Sequence, residues 1–249
     1  MVSTDFKVRY QGSVLGYFWS LLKPLFLFAI LYVVFTYIIP LGKDVEHYPV
    51  YLLLGIVLWN FFSEATTIGA SSVVARGDLI RKISIPRYLV VIASSLSALI
   101  NLGLSLLVVF IFALFNGIVP SLSWLLIIPL VAELYVLALG ISFYLSAVFV
   151  RFRDVTYIWE IVLQAGFYAS AIIFPLALVP EMYHKWFFMN PIVQIIQDAR
   201  HAIATDTTVT IWNTINSWPL IMPFLMIVVF AVIGGLYFKK HSKYFAEDI

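Results

Sequence analysis

The 249-residue chain is 63% hydrophobic and 11% charged, carries a formal net charge of +2 and contains no cysteine, and its mean hydropathy is +1.01. Soluble domains carry about 25% charged residues, so an ordinary soluble fold is excluded. The missing cysteines exclude disulfides, thiolate metal sites and cysteine catalysis. A charge this small calls for no nucleic-acid partner.

The first 20 residues are too polar to span. Phe6, Tyr10, Val14 and Phe18 recur every four positions, with Lys7 and Gln11 on another face. This spacing predicts an amphipathic helix in the membrane interface, anchored by Tyr17 and Trp19. Gly12 and Gly16 weaken that helix, and a basic unstructured tail is the alternative. Since the first apolar run begins near Leu21, no cleavable leader is expected.

Crossing a bilayer takes roughly 20 apolar residues. Six such stretches follow, over residues 21–39, 48–75, 88–115, 122–150, 155–174 and 218–238. The fold class expected is all-α and polytopic, a single membrane domain over 1–249 with a tail at 239–249. With the N-terminus inside, the inner side receives Lys7, Arg9, Lys23, Arg76, Arg81, Lys82, Arg87, Arg151, Arg153, Lys239, Lys240 and Lys243. The outer side receives Lys43, Lys185 and Arg200. That asymmetry places both termini in the cytoplasm.

Between spans two and three runs ARGDLIRKISIPR. Asp78 is suited to capping a short helix, with Leu79, Ile80 and Ile83 on one face and Arg81 and Lys82 beside it. Pro86 suits the first turn of the next helix. An exposed apolar knob with basic flanks fits a partner's groove; an ordinary topology-fixing loop is the other reading. In the inner connection after span four, Arg151 and Arg153 are candidates for an anionic head group, because guanidinium pairs bidentately with phosphate oxygens. Lys7 and Arg9 are rivals for that role, and topology anchoring is the plainer reading.

Within the spans, Glu64, Glu133 and Glu160 stand out because buried carboxyls are costly in a membrane. Glu133 is the deepest, and a pore-lining or structural role is preferred to a proton relay. Aromatics reach 17%. Aromatic planes can pack against the apolar faces of a cargo, so Tyr32, Phe35, Tyr37, Trp159, Phe167 and Tyr168 are channel candidates, with lipid-facing packing as the alternative for each. Ala138, Ser142 and Ser146 form a small-residue stripe for close helix contact, within one subunit or between two. Residues 175–217 are interrupted by Pro175 and Pro180, and Asn190-Pro191 then opens an amphipathic stretch. There Ile192, Ile195, Ile196 and Ala199 are expected inward, and Gln197, Asp198 and His201 elsewhere. Short helices dipping into the outer leaflet fit this pattern. There is no G-x-x-x-x-G-K-[ST] pattern, so any ATP energy must come from a partner. The few acids and histidines show no clustered catalytic set and no metal site.

The order Arg9-Tyr10, Ser13-Val14-Leu15-Gly16, Trp19 and Pro24, then Leu79-Ile80-Arg81-Lys82 with Pro86-Arg87, then Arg153-Asp154 and Asn190-Pro191 resembles the permease subunits of type-2 ABC exporters of polysaccharide. That family includes exporters of O-antigen, rhamnan-type polymers and teichoic acid. The chain departs in the short stretch before Arg9-Tyr10 and in Ile85, where an aromatic is common. The resemblance implies a homodimer with two separate ATPase subunits that bind ATP and Mg2+, and no cofactor in this chain. It also implies a polyprenyl-diphosphate-linked glycan as cargo, the bacterial cytoplasmic (inner) membrane as location, residues 78–83 as the ATPase-coupling helix and residues 175–217 as an outer gate. The rivals are an ABC permease for a drug or small lipid and a membrane enzyme acting on polyprenyl-linked sugars.

Overall fold

A computed structural model describes residues 18–39, 41–43, 45–77, 86–214, 218–243 and 245. The interface-helix expectation for residues 1–20 falls almost wholly outside these residues, as do Lys7, Arg9 and the coupling residues 78–83. Among the described residues the chain is helical and contains no strand.

The long helices are α1 (Phe18–Val33, prolonged by a wide turn Val34–Ile38), α2 (Tyr48–Ala75), α3 (Tyr88–Phe115), α4 (Ile127–Arg151, entered through a 3-10 turn Leu122–Leu126) and α5 (Val155–Ala169). Shorter helices follow: α6 (Glu181–Phe188), α7 (Pro191–Ile203) and α8 (Ile211–Thr214), before the last long helix α9 (Met222–His241). Among the described residues, five segments are long and apolar enough to cross a membrane: Leu21–Ile38, Tyr48–Ala75, Tyr88–Phe115, Leu122–Arg151 and Met222–His241.

The expected fifth span, 155–174, is shorter than its hydropathy suggests. Helix α5 stops at Ala169 after 15 residues, about 22 Å of rise against the roughly 30 Å of a bilayer core. Ala171 has a positive φ of 49°, and the carbonyls that a continuing helix would bond are taken by side chains instead. Arg200 donates to Ala171 O at 2.9 Å and Ile172 O at 2.6 Å, and the Tyr48 hydroxyl donates to Ile173 O at 2.9 Å. Similarly, Pro86 lies two residues ahead of α3 and accepts from Leu89 N–H at 3.0 Å.

Helix α2 is the centre of the bundle: 72% of its most apolar window is buried, against 6% for α1. Its largest neighbours are α3 and α4, and α9 packs on the far side of α4. Small residues make these contacts possible. A Cβ on Gly69 would come within 2.5 Å of Ser142 Oγ, and one on Gly140 within 2.7 Å of Ala231 Cα. Ser142 Oγ donates to Ala138 O at 2.7 Å and across to Ala65 O at 3.2 Å. The stripe Ala138, Ser142 and Ser146 is wholly buried, with its packing directed to helices of the same subunit. Helices α4 and α9 run in the same direction, since Gly140 lies against Ala231 and Gly234 and, further along both helices, Phe143 meets Phe238. Lys239, Lys240 and His241 close α9, where cations suit the negative end of the helix dipole.

Residues 175–214, expected on the outer side, fold down onto this core. Asn190 Oδ1 accepts from Ile192 N–H at 3.0 Å, capping α7, and Pro191 occupies the first turn, where its missing N–H costs nothing. Ile192, Ile195, Ile196 and Ala199 are buried as the amphipathic pattern requires. The polar face is buried too: Gln194, Gln197 and Arg200 are at most 1% exposed. Helix α7 is therefore enclosed rather than surface-lying, because it packs against α2 on one side and α4 on another.

Candidate transport groove

Polar residues in the middle of a membrane helix are costly unless they meet water, a partner or another polar group. Helix α2 carries Asn60, Ser63, Glu64 and Thr67 at positions i, i+3, i+4 and i+7, which is one face of a helix. They span about 10 Å along its axis. This face forms the wall of a groove of about 860 Å³, near the upper end of the roughly 300–1,000 Å³ of ligand sites.

The other walls repeat the chemistry. From α3 come Asn101 and Ser105, four residues apart, and from α5 come Glu160, Gln164, Phe167 and Tyr168. The first half of α1 contributes Trp19, Lys23 and Leu27. Asn101 Nδ2 donates to Glu64 Oε1 at 2.8 Å, which fixes the carboxylate on the wall. Asn101 Oδ1 is buried with no hydrogen-bond partner.

Helix α5 is held over this groove by aromatic contacts. The Trp59 and Phe167 rings meet edge to face at 6.1 Å, Phe62 and Trp159 lie 6.3 Å apart, and Trp159 Nε1 donates to Thr66 Oγ1 at 3.0 Å. Gly166 lets Trp59 approach, since a Cβ there would sit 2.7 Å from its ring. The opposite face of α5 is uncovered: Tyr157, Ile158 and Ile161 are 60% exposed or more.

The channel candidates thus separate. Phe167 and Tyr168 line the groove. Trp159 fastens α5 to α2. Tyr32 and Phe35 pack against the core, and Tyr37 is exposed at the end of the α1 extension. Glu160 and Glu64 belong to the groove, whereas Glu133 lies on α4 beside Gln194 and Asp198 of α7. Gln194 Nε2 donates to Asp198 Oδ2 at 2.8 Å. Burial holds the Asp198 carboxyl above the usual carboxylate range, with the Gln194 amide acting against it. Arg151 and Arg153 are exposed at the α4–α5 connection, stacked over Phe152 and Phe149 at 5.6 and 5.1 Å.

Two features were missed from sequence. The α2 stripe was legible in its helical spacing. Arg200, counted there as an outer charge, is fully buried. Its guanidinium lies 3.6 Å from the Tyr51 ring centroid, its Nε donates to Tyr51 O at 3.0 Å, and Gly55 leaves the space it fills. No local pattern announces that placement.

The groove is open and lined by polar and aromatic side chains. Residues 1–204 match the model of the ABC-2 type transporter family. The chain belongs to that family. This ABC-2 transporter chain is 27% identical over 248 residues to the O-antigen export system permease protein RfbA of Klebsiella pneumoniae, covering 99% of the chain and 92% of that relative. It is 26% identical over 198 residues to the RfbA protein of Myxococcus xanthus, covering 79% and 75%. It is 26% identical over 207 residues to the polysialic acid transport protein KpsM of Escherichia coli, covering 80% and 78%.

Proposed function

We propose that this chain is the permease subunit of an ATP-driven exporter of lipid-linked polysaccharide. Two copies face each other across the groove, and two separate ATPase subunits, which bind ATP and Mg2+, dock from the cytoplasm. The observation that carries the reading is the groove itself. Its hydroxyl, amide and carboxylate stripe suits sugar hydroxyls, and Phe167 and Tyr168 supply apolar planes. At about 860 Å³ it admits a few sugars at a time, so a polymer passes by threading.

The uncovered face of α5 beside the groove supports a second copy as its cover. The family and the near full-length similarity to O-antigen permeases support an ATPase partner and a polysaccharide cargo. In this reading the membrane is the bacterial inner membrane, both termini are cytoplasmic, and the glycan rides on a polyprenyl diphosphate. Residues 78–83 receive the ATPase stroke. The enclosed segment around α7 forms the outer gate. Arg151 and Arg153, with Lys7 and Arg9, meet the diphosphate at the inner mouth.

Depletion of the protein in its host, followed by fractionation of lipid-linked glycan by membrane side, tests this. Finished glycan is expected to accumulate on the cytoplasmic face and to disappear from the surface. Unchanged surface glycan without inner accumulation rejects the cargo and favours a drug or small-lipid permease.

A further inference from the structure

We propose that Glu133 of α4 and Asp198 of α7 hold one proton between them, and that this proton fastens the outer segment to the bundle. Glu133 lies in the first half of α4, beside Gln194 and Asp198. Gln194 and Asp198 are four residues apart on α7 and share a face. Gln194 is 1% exposed, and its Nε2 donates to Asp198 Oδ2 at 2.8 Å. This face is short of donors. Glu133 Oε1, Gln194 Oε1 and Asp198 Oδ1 are buried acceptors without a hydrogen-bond partner, and such groups are costly. An ionised carboxyl only accepts, whereas a protonated one also donates. One proton on the pair therefore supplies a donor and removes one of two like charges held where screening is weak.

The surroundings offer little else to neutralise the pair. Burial holds Asp198 above the usual carboxylate range, and Gln194, the Ile211 N–H, the Trp212 indole and His201 act against it. Among the described residues of the elements packed on α7, the other titratable groups are engaged elsewhere or stand apart. Arg200 is stacked on Tyr51 of α2, Tyr48 bonds to Ile173 O, and Tyr135 of α4 meets Ser95 on α3. His184 of α6 bonds to the carbonyls of Leu176 and Val179, while Glu181, Tyr183 and Lys185 are exposed. Lys239, Lys240 and His241 stand in the last turn of α9.

Linkage sets the direction. The packed segment binds the proton; once it lifts and both carboxyls meet water, each returns to its ordinary value and releases it. Rising pH therefore weakens the packed state, by about tenfold per pH unit between the ordinary carboxylate value and the pair's own. In the export reading this segment is the outer gate, so acid on the outer side favours closure.

The test uses the full chain in nanodiscs. Infrared spectra across pH, in ordinary and heavy water, follow protonated carboxyls. Amide exchange, corrected for its intrinsic pH dependence, follows how tightly residues 191–203 are held. Wild type is expected to keep a protonated carboxyl above the ordinary range, with its midpoint moved to lower pH in both Glu133→Gln and Asp198→Asn. Protection of residues 191–203 should fall through the same interval in wild type and ignore pH in the double variant. Absence of such a carboxyl, or a midpoint that moves in only one variant, overturns the shared proton. Protection indifferent to pH while the carboxyl titrates overturns the fastening role. Should a variant not fold, the wild-type titration and protection still decide. Neither readout involves ATPase or cargo, so failure here leaves the export reading standing, and failure of that reading leaves the proton in place.

Discussion

Replacing Arg200 by Met keeps a long side chain and removes every donor. Three backbone carbonyls currently accept from the guanidinium: Tyr51 O, Ala171 O and Ile172 O. Tyr51 lies inside α2, where its carbonyl also serves the helix. Ala171 and Ile172 follow the end of α5 and lose their partner. A buried group left unsatisfied costs about 1–3 kcal/mol, so two cost about 2–6 kcal/mol. Loss of the stacking on Tyr51 adds up to about 2 kcal/mol. Against this, relieving a buried cation returns several kcal/mol. The net expectation is about 3 kcal/mol, a large part of the 5–15 kcal/mol that holds a typical domain.

The effect should be local before it is global. Hydrogen exchange on the protein in nanodiscs should show the amides of residues 170–180 and of α7 exchanging about 100-fold faster, the equivalent of about 3 kcal/mol. The thermal transition should fall as well. Arg200→Lys should lie between wild type and Arg200→Met, because an ammonium lacks the planar fork that reaches diverging carbonyls. Wild-type exchange at 170–180 together with a wild-type transition in Arg200→Met would refute the claim that this side chain holds the outer segment in place.

Gly140→Val drives a side chain into the α9 backbone and should cost at least about 1–3 kcal/mol, seen as a lower thermal transition, whereas Gly103→Ala, whose Cβ meets nothing within 4 Å, should not lower it. Asp198→Asn should flatten the pH dependence of stability: the folded pKa is raised by burial, so the folded state binds the proton more tightly, and stability is full below the ordinary carboxylate pKa and lost as pH rises through the raised value. Thermal transitions across pH check this, and an unchanged alkaline loss in the variant counts against it. Changing Leu79 and Ile80 together to Asp should abolish copurification of the ATPase while leaving the membrane bundle folded; normal copurification removes residues 78–83 from the coupling role.

What local sequence determines here is membrane partition. A run of about 20 apolar residues has one low-energy solution in a bilayer, a helix that satisfies its own backbone. The positions of α2, α3, α4 and α9 follow from that rule within a few residues, and Asn190-Pro191 marks the start of α7 by capping chemistry alone. The stripe on α2 was also legible, because Asn60, Ser63, Glu64 and Thr67 obey helical spacing. Which helices wall the groove beside it was not. Tyr32 and Tyr168 are similar residues in similar spans, and only packing sends one to the core and the other to the groove. The end of α5 is the clearest case. Its hydropathy continues past Ala169, and a helix would continue with it. The chain turns because Arg200 and Tyr48, distant in sequence, satisfy the carbonyls of residues 171–173 and make a non-helical backbone affordable at that depth. A charge that composition assigns to the outer surface becomes the internal support of the outer segment, and that exchange of water for three carbonyls and a tyrosine ring exists only once the helices have packed.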